Sequence, residues 1–300
     1  MINFDLNNID SVEFGVCIRE GGEQDYSIVP VDKGVQAALT EMVRTTIDTW
    51  ESCGKKTEKY SPAEEHGSLA RLETQLDNDV KPLKELYEAT NLPTRSNSLN
   101  DPAKIVFYFA FLRDGKNRKL LSVRRASTFK GLAKPQNALA RFVDDSLKIV
   151  PDTVFKFDPD FDFLVLDQRV VILRYRAFES IACVEEILVQ KAGENVDALQ
   201  QSLQFVNLVA MRDYVSTHKR SARLVAAILA RDDLKKTSRD LLKKACNSGG
   251  VDVKVIGGKL VPDKGHEEAF LKVLDRRRYS ITLIAQRKET YDATGRRKTN

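Results

Sequence analysis

The eight apolar residues from Ile105 to Leu112 constrain this chain more than any other feature. The run is far shorter than the roughly 20 residues that a bilayer-crossing helix needs. It stops at Arg113-Asp114-Gly115-Lys116-Asn117, a turn-forming stretch, and Lys119 to Arg125 returns behind it, which predicts a β-hairpin. Phe161 to Leu166 and Val170 to Leu173 repeat the pattern around Asp167-Gln168-Arg169. Two such hairpins predict an antiparallel sheet in the middle of the chain. With 300 residues, 42% of them hydrophobic, the chain can bury a sizeable core and hold two or three subdomains.

Upstream, Ser11 to Arg19 alternates apolar and polar residues, Gly21-Gly22 supplies a turn, and Tyr26 to Val31 predicts the return strand. Asp32 then opens a helix whose apolar face is Val35, Leu39, Met42, Val43, Ile47 and Trp50, ending at Cys53-Gly54. A second helical region is expected from Glu64 to Leu76, continuing after Pro82. Thr90 to Pro102, rich in Asn, Ser and Pro, reads as a linker. Downstream of the second hairpin, Phe178, Ile181, Ala182, Glu185 and Val189 keep a helical period, and another helix is expected from Val196 to Tyr214.

The C-terminal third combines organisation with charge. Ser221 to Ala230 predicts a short helix with Leu224, Val225, Ile228 and Leu229 inward and Arg220, Arg223 and Arg231 on the opposite face. Thr237 or Ser238 can cap the next helix, which runs through Leu241, Leu242 and Ala245. Strands Val251 to Ile256 and Lys259 to Val261 flank Gly257-Gly258, the composition of a two-residue hairpin. A helix from Lys264 to Leu274, a strand from Tyr279 to Ala285 and a polar tail from Thr290 to Asn300 complete the chain. The fold class expected is α+β. Antiparallel hairpins and packed helices fill an N-terminal domain (1–100) and a strand-rich middle domain (101–215). A basic helical region containing a β-hairpin follows (216–300).

The formal net charge of +5 hides an uneven distribution. Between Thr217 and Asn300 there are 21 Lys and Arg against 10 Asp and Glu, an excess of eleven positive charges. The preceding residues hold 27 against 33, an excess of six negative charges. A basic end on an acidic body is the electrostatic pattern of a polyanion binder, although solvated helices also favour Lys and Arg. The candidate nucleic-acid contacts are Arg220, Arg223, Lys235, Lys236, Arg239, Lys243, Lys244, Arg276, Arg277, Arg278, Arg296 and Arg297. Arg239, Lys243 and Lys244 can line a strip of helix along a phosphate backbone. Helix, turn, helix and hairpin is also the element order of a winged helix. Arg276-Arg277-Arg278 is the densest guanidinium cluster, suited to bidentate phosphate contacts or to the negative end of a helix. Tyr279 and Tyr291 are the aromatic residues placed to stack on bases, too few to make stacking the main term, so backbone contact without sequence preference is expected.

Catalytic patterns are sparse. The four cysteines, Cys17, Cys53, Cys183 and Cys246, lie too far apart for a zinc site or a disulfide framework, and a reducing cytosol suits them. His66, His218 and His266 have no partners at metal-ligand spacing, and no GxxxxGK[ST], GxGxxG or HExxH occurs. No metal or cofactor is expected. A metal-dependent nuclease would have to be assembled from Pro262-Asp263 and Gln286-Arg287-Lys288. An interaction protein binding anionic lipid or an acidic partner is the third class. Asp160, Asp162 and Asp167 fit turn chemistry better than a Ca²⁺ loop. The N-terminus, MINFDLNNID, does not read as a secretory signal.

The segment Val170-Val171-Ile172-Leu173-Arg174-Tyr175-Arg176-Ala177-Phe178-Glu179-Ser180-Ile181 resembles the strand-to-helix segment of the KwaB-like subunit of bacterial Kiwa anti-phage systems. Lys272 to Lys298, with Leu274-Asp275 and Tyr291-Asp292-Ala293-Thr294, resembles that family's closing segment. The resemblance implies a DNA-binding effector that works with a small transmembrane partner and hinders phage DNA replication or transcription. It would be a cytoplasmic protein held at the inner face of the membrane by that partner. Duplex DNA and further copies of the chain are the other partners expected. The resemblance carries over no catalytic residue.

Overall fold

The structure, a computed structural model, describes residues 2–20, 23–53, 56–62, 66, 71–94, 104–126, 139–143, 146–150, 156–231, 233–284 and 287–293. The architecture is mixed α+β, as expected. The described residues form nine α-helices, an eight-stranded sheet and three separate two-stranded hairpins, two of them near the C-terminus. The chain divides into two compact units, residues 1–59 with 68–182 and residues 60–67 with 183–300.

The first unit is built on the large sheet. Its strands are β1 (Ile9–Glu20), β2 (Glu23–Val29), β3 (Glu58–Lys59), β4 (Leu72–Gln75), β5 (Ile105–Asp114), β6 (Lys119–Arg125), β9 (Phe163–Leu166) and β10 (Arg169–Ile172). They lie in the order β2-β1-β5-β6-β9-β10-β4-β3, and every pair is antiparallel except β3 with β4. Both predicted middle hairpins are present. The N-terminal hairpin joins them because β1 pairs with β5, so Gly15 faces Phe109 and Phe14 faces Ala110. A Cβ on Gly15 would lie 2.2 Å from the Phe109 ring, so the glycine makes room for that ring on the sheet. Gly21 and Gly22, the expected turn, lie outside the described residues.

Helix α1 (Lys33–Ser52) starts where expected, with Asp32 accepting the Val35 N–H at 2.8 Å. Its buried stripe of Leu39, Met42, Val43, Ile47 and Trp50 packs with Phe14, Val16, Tyr108, Ala110, Leu112 and Leu120. Side chains alternate along strands, so Phe107, Phe109 and Phe111 face the other way. They are buried too. At the β5–β6 turn the buried Asp114 carboxylate accepts the N–H groups of Lys116 and Arg118 and pairs with the Arg118 guanidinium at 2.6 Å. Arg124 of β6 binds Asp158, Asp160 and Asp162 at 3.1, 3.3 and 2.8 Å, and Arg174 meets Asp160 at 2.7 Å. Asp160 and Asp162 thus tie the entry to β9 onto the sheet. Asp167 holds a positive-φ position in the next turn.

Three local expectations are corrected, and one hairpin is added. The helix expected through Leu76 is, at Leu72–Gln75, strand β4, because Leu72 to Gln75 pair with Ile172 to Arg169 across the sheet edge. The continuation is helical, as α2 (Lys81–Glu88). A hairpin of β7 (Leu139–Val143) and β8 (Ser146–Val150) was not predicted. The helical period from Phe178 to Val189 is split into α3 (Tyr175–Ile181) and α4 (Val184–Gln190), because Cys183 adopts a left-handed conformation at φ 53°. The long helix expected to Tyr214 is likewise two, α5 (Ala192–Ser202) and α6 (Met211–Thr217).

The second unit contains α4, α5, α6, α7 (Lys219–Leu229), α8 (Arg239–Ser248) and α9 (Glu267–Leu274). Two hairpins complete it, β11 (Val253–Ile256) with β12 (Lys259–Pro262), and β13 (Arg278–Ile284) with β14 (Arg287–Asp292). Gly257 and Gly258 both adopt positive φ, as the two-residue turn requires. Strand β14 corrects the expectation of a polar tail from Thr290. Its sequence, RKETYD, has no apolar alternation, and its strand form comes from pairing with β13.

Candidate nucleic-acid interface

Helix α8 is the centre of the basic surface. Ser238 caps it by accepting the Leu241 N–H, and Leu242 and Cys246 form its buried stripe. Burial pushes the Cys246 thiol up to about 12, so it stays a neutral packing group. Arg239, Lys243 and Asn247 recur every four residues on one flank, and Lys244 points away from the buried stripe. Lys243 and Lys244 are exposed and have no acidic partner among the described residues. Among the described residues Arg239 makes only long contacts, to Asp240 and to the Gly258 carbonyl of the β11–β12 turn, each at 3.4 Å. That turn therefore lies beside the first turn of α8, with Lys259 exposed next to it.

The negative end of α8 is closed by the second hairpin. Arg278 donates to the Gly249 carbonyl at 2.7 Å, Ser280 to Ser248 at 2.7 Å and Lys288 to Asn247 at 3.1 Å. Three consecutive carbonyls of a helix terminus, which lack intrahelical partners, are thereby satisfied, two of them by cations. Lys288 also prolongs the row begun by Arg239 and Lys243.

The three consecutive arginines do not form one phosphate cradle. Helix α9 ends in a Schellman motif: Arg277 N–H reaches the Lys272 carbonyl at 2.8 Å and Arg276 N–H the Val273 carbonyl at 3.0 Å, with Arg276 at φ 60°. The left-handed residue sends successive side chains in different directions. Arg276 pairs with Asp233 at 2.6 Å, Arg277 with the buried Asp275, and Arg278 with Asp292 at 3.0 Å. Hydrogen bonding from Arg231, aided by Arg276, holds the Asp233 carboxyl below its ordinary range. Burial alone would raise Asp292, but Lys272 and Arg278 outweigh it and hold that carboxyl low as well.

The remaining basic residues are dispersed. Lys235 and Lys236 lie in a short 3₁₀ turn (Leu234–Lys236) ahead of α8, both exposed and without an acidic partner among the described residues. Lys236 and Arg276 border an open groove of about 380 Å³, floored by Leu241, Leu242, Ala245, Val273 and Leu274. Arg220 of α7 is exposed, whereas Arg223 is half-buried against Glu185 at 4.0 Å. Arg231 does not share their face. It lies past the end of α7 with its side chain only 5% exposed, paired with Asp233 and donating to the Leu274 carbonyl. Arg296 and Arg297 lie outside the described residues. Helix α7 packs mainly on α4, α5, α6 and α9, whereas α8 packs on α9 and both hairpins. The linking 3₁₀ turn, anchored by buried Leu234, separates the two helices that a helix-turn-helix would pack together.

Asp263 pairs with Lys254 at 3.1 Å, and Lys288 is held by Asn247, so each member of the nuclease pair has its own partner. Gln286 lies outside the described residues. His218 stacks on Tyr214 at 4.0 Å, and His266 accepts the Asp252 N–H at 2.9 Å. Among the described residues no group of His, Cys, Asp and Glu could hold a metal ion, and no helix is long and apolar enough to cross a membrane.

Fold and site together define a mixed α+β protein with a cationic helix braced by two hairpins. Residues 104–283 match the family described as Kiwa protein KwaB-like, and the chain belongs to that family. Membership makes it a component of a Kiwa anti-phage defence system and implies a partner protein of that system. The matched region runs from just before β5 into β13, and it includes the whole Val170–Ile181 segment and the beginning of the closing one. No curated protein and no solved structure matches the chain.

Proposed function

We propose that the second unit grips duplex DNA through its phosphates, without sequence preference, and that it thereby hinders phage DNA replication or transcription alongside a membrane partner of the same defence system. One observation carries this reading. Lys235, Lys236, Lys243 and Lys244 lie on and just ahead of α8, exposed and with no acidic partner among the described residues, while the arginine triplet is engaged by Asp233, Asp275 and Asp292. Unpaired ammonium groups are the ones free to displace counterions from a polyanion. The contact surface is therefore centred on α8 and its flanking turn. Arg276 and Arg278 join only where phosphate competes successfully with their carboxylates.

Fluorescence anisotropy with a random-sequence duplex at several salt concentrations tests this. Affinity is expected to fall steeply with salt, and the charge reversals Lys243→Glu and Lys244→Glu to flatten the slope by about one unit per lost phosphate contact. Absent or salt-independent binding overturns the proposal. Flotation with anionic liposomes, in the absence of DNA, separates it from a lipid-binding role.

A further inference from the structure

The outward face of the β13–β14 hairpin carries an aromatic pair that the phosphate grip does not use. Tyr279 and Tyr291 are cross-strand partners with ring centroids 6.0 Å apart and planes inclined by 26°. They remain 46% and 42% exposed, next to Ile281 at 39%. Tyr60 and Tyr108, by contrast, are buried, and Tyr26, Tyr87, Tyr175 and Tyr214 are partly buried. Alternation along the strands puts Arg278, Ser280 and Lys288 on the inward face, where they grip the last carbonyls of α8. The stacked rings are thus held on a support fixed to the helix that bears Lys243 and Lys244.

We infer that this tyrosine pair is a stacking platform for unpaired nucleobases, so that the preferred ligand is DNA with a single-stranded stretch, such as a frayed end, a gap or a displaced strand. The inference rests on the reading of the second unit as a DNA binder. Every base has a π-face, so stacking on near-parallel tyrosines is sequence-tolerant, and adjacent cations can hold the intervening phosphates. Arg287, on the same face of β14, is an exposed guanidinium. Glu289 also faces outward, but it is occupied: it pairs with Arg287 at 2.9 Å and accepts the Tyr291 hydroxyl at 2.5 Å. The same hydrogen bond fixes the Tyr291 ring. A duplex keeps its bases stacked and hidden, and so gains nothing from this face.

The test compares an oligothymidine of about 20 nucleotides with a duplex of the same length, a span long enough to cover a typical single-strand site. Tyr279→Val combined with Tyr291→Val keeps strand propensity while removing both rings. It is expected to weaken single-strand binding about tenfold or more and to leave duplex affinity within about twofold, whereas the Tyr→Phe pair preserves both. Equal losses on the two ligands, or no loss on the single strand, overturn the platform. Should the valine variant fail to fold, quenching of tyrosine fluorescence by oligothymidine in the unmutated protein decides instead: no quenching on binding refutes the stacking. If the unmutated protein binds duplex but not oligothymidine, the platform alone falls. If it binds neither, the phosphate grip falls first. A hairpin face that instead docks another protein would leave both DNA affinities unchanged in the valine variant, which also overturns the inference.

Discussion

Arg276, Arg277 and Arg278 are neighbours in sequence yet serve three different carboxylates, and the cause is one backbone angle. A left-handed residue at the end of α9 turns the chain so sharply that consecutive side chains diverge. Arg277 is the costly one to remove: truncation would take its ion-pair partner from the buried Asp275 carboxylate, a loss of about 3–5 kcal/mol. Its mutation would therefore report on folding before it reported on DNA. Arg276 and Arg278 differ in a way that can be measured. Arg276→Gly relieves a left-handed conformation and forfeits an exposed ion pair, so urea unfolding should shift by no more than about 1 kcal/mol. Arg278→Ala removes the bond to Gly249 and the pair with Asp292, and should cost about 1–3 kcal/mol. Equal effects of the two substitutions would contradict this account of the triplet.

At the scale of elements, turn chemistry explains which hairpins could be read in advance. The β5–β6 hairpin is announced by its apolar strands and by Asp-Gly-Lys-Asn, and Asp114 organises the turn. Burial raises this carboxyl, but the Arg118 guanidinium and the N–H groups of Arg118, Asp5 and Lys116 outweigh it and hold it at about 2. A folded value below the unfolded one means that stabilisation is complete above about pH 4 and is lost as pH falls through about 2. Asp114→Asn should therefore be less stable than the parent at pH 7, with the gap narrowing between about pH 4 and 2 in circular-dichroism melts. A gap unchanged at pH 2 would show that the charged form contributes nothing. The β9–β10 turn carries Asp167 and Gln168 at φ 50° and 64° without a glycine, so its strands, not its turn residues, were the legible signal. Strands β4 and β14 gave no such signal. Strand β4 is short and β14 is polar, and each owes its form to the strand it pairs with, β4 to the distant β10 and β14 to the adjacent β13.

For the whole molecule, the sheet of the first unit spans the family boundary. The match begins at residue 104, yet β1, β2, β3 and β4, with α1, precede it and belong to the same unit. A chain beginning at residue 104 would expose the edge of β5 and the apolar face that Leu39, Met42, Val43, Ile47 and Trp50 cover. It should aggregate on expression, as judged by size-exclusion chromatography. Recovery of a soluble, folded species would show that the first hundred residues are dispensable to the sheet.

The sequence alone determined the strand pairs of β5 with β6 and β9 with β10, helix α1 with its cap, helix α8 and the glycine turn of β11–β12. It also placed the positive charge in the last third of the chain. These features rest on periodicity and on residues within a few positions of one another, so local chemistry suffices. Only the tertiary structure decided which cations stay unpaired, because the pairing joins residues far apart: Asp233 takes Arg276 from 43 positions away, and Asn247 holds Lys288 from 41. A count of charges registers both partners, but only their folded positions show which of them meet.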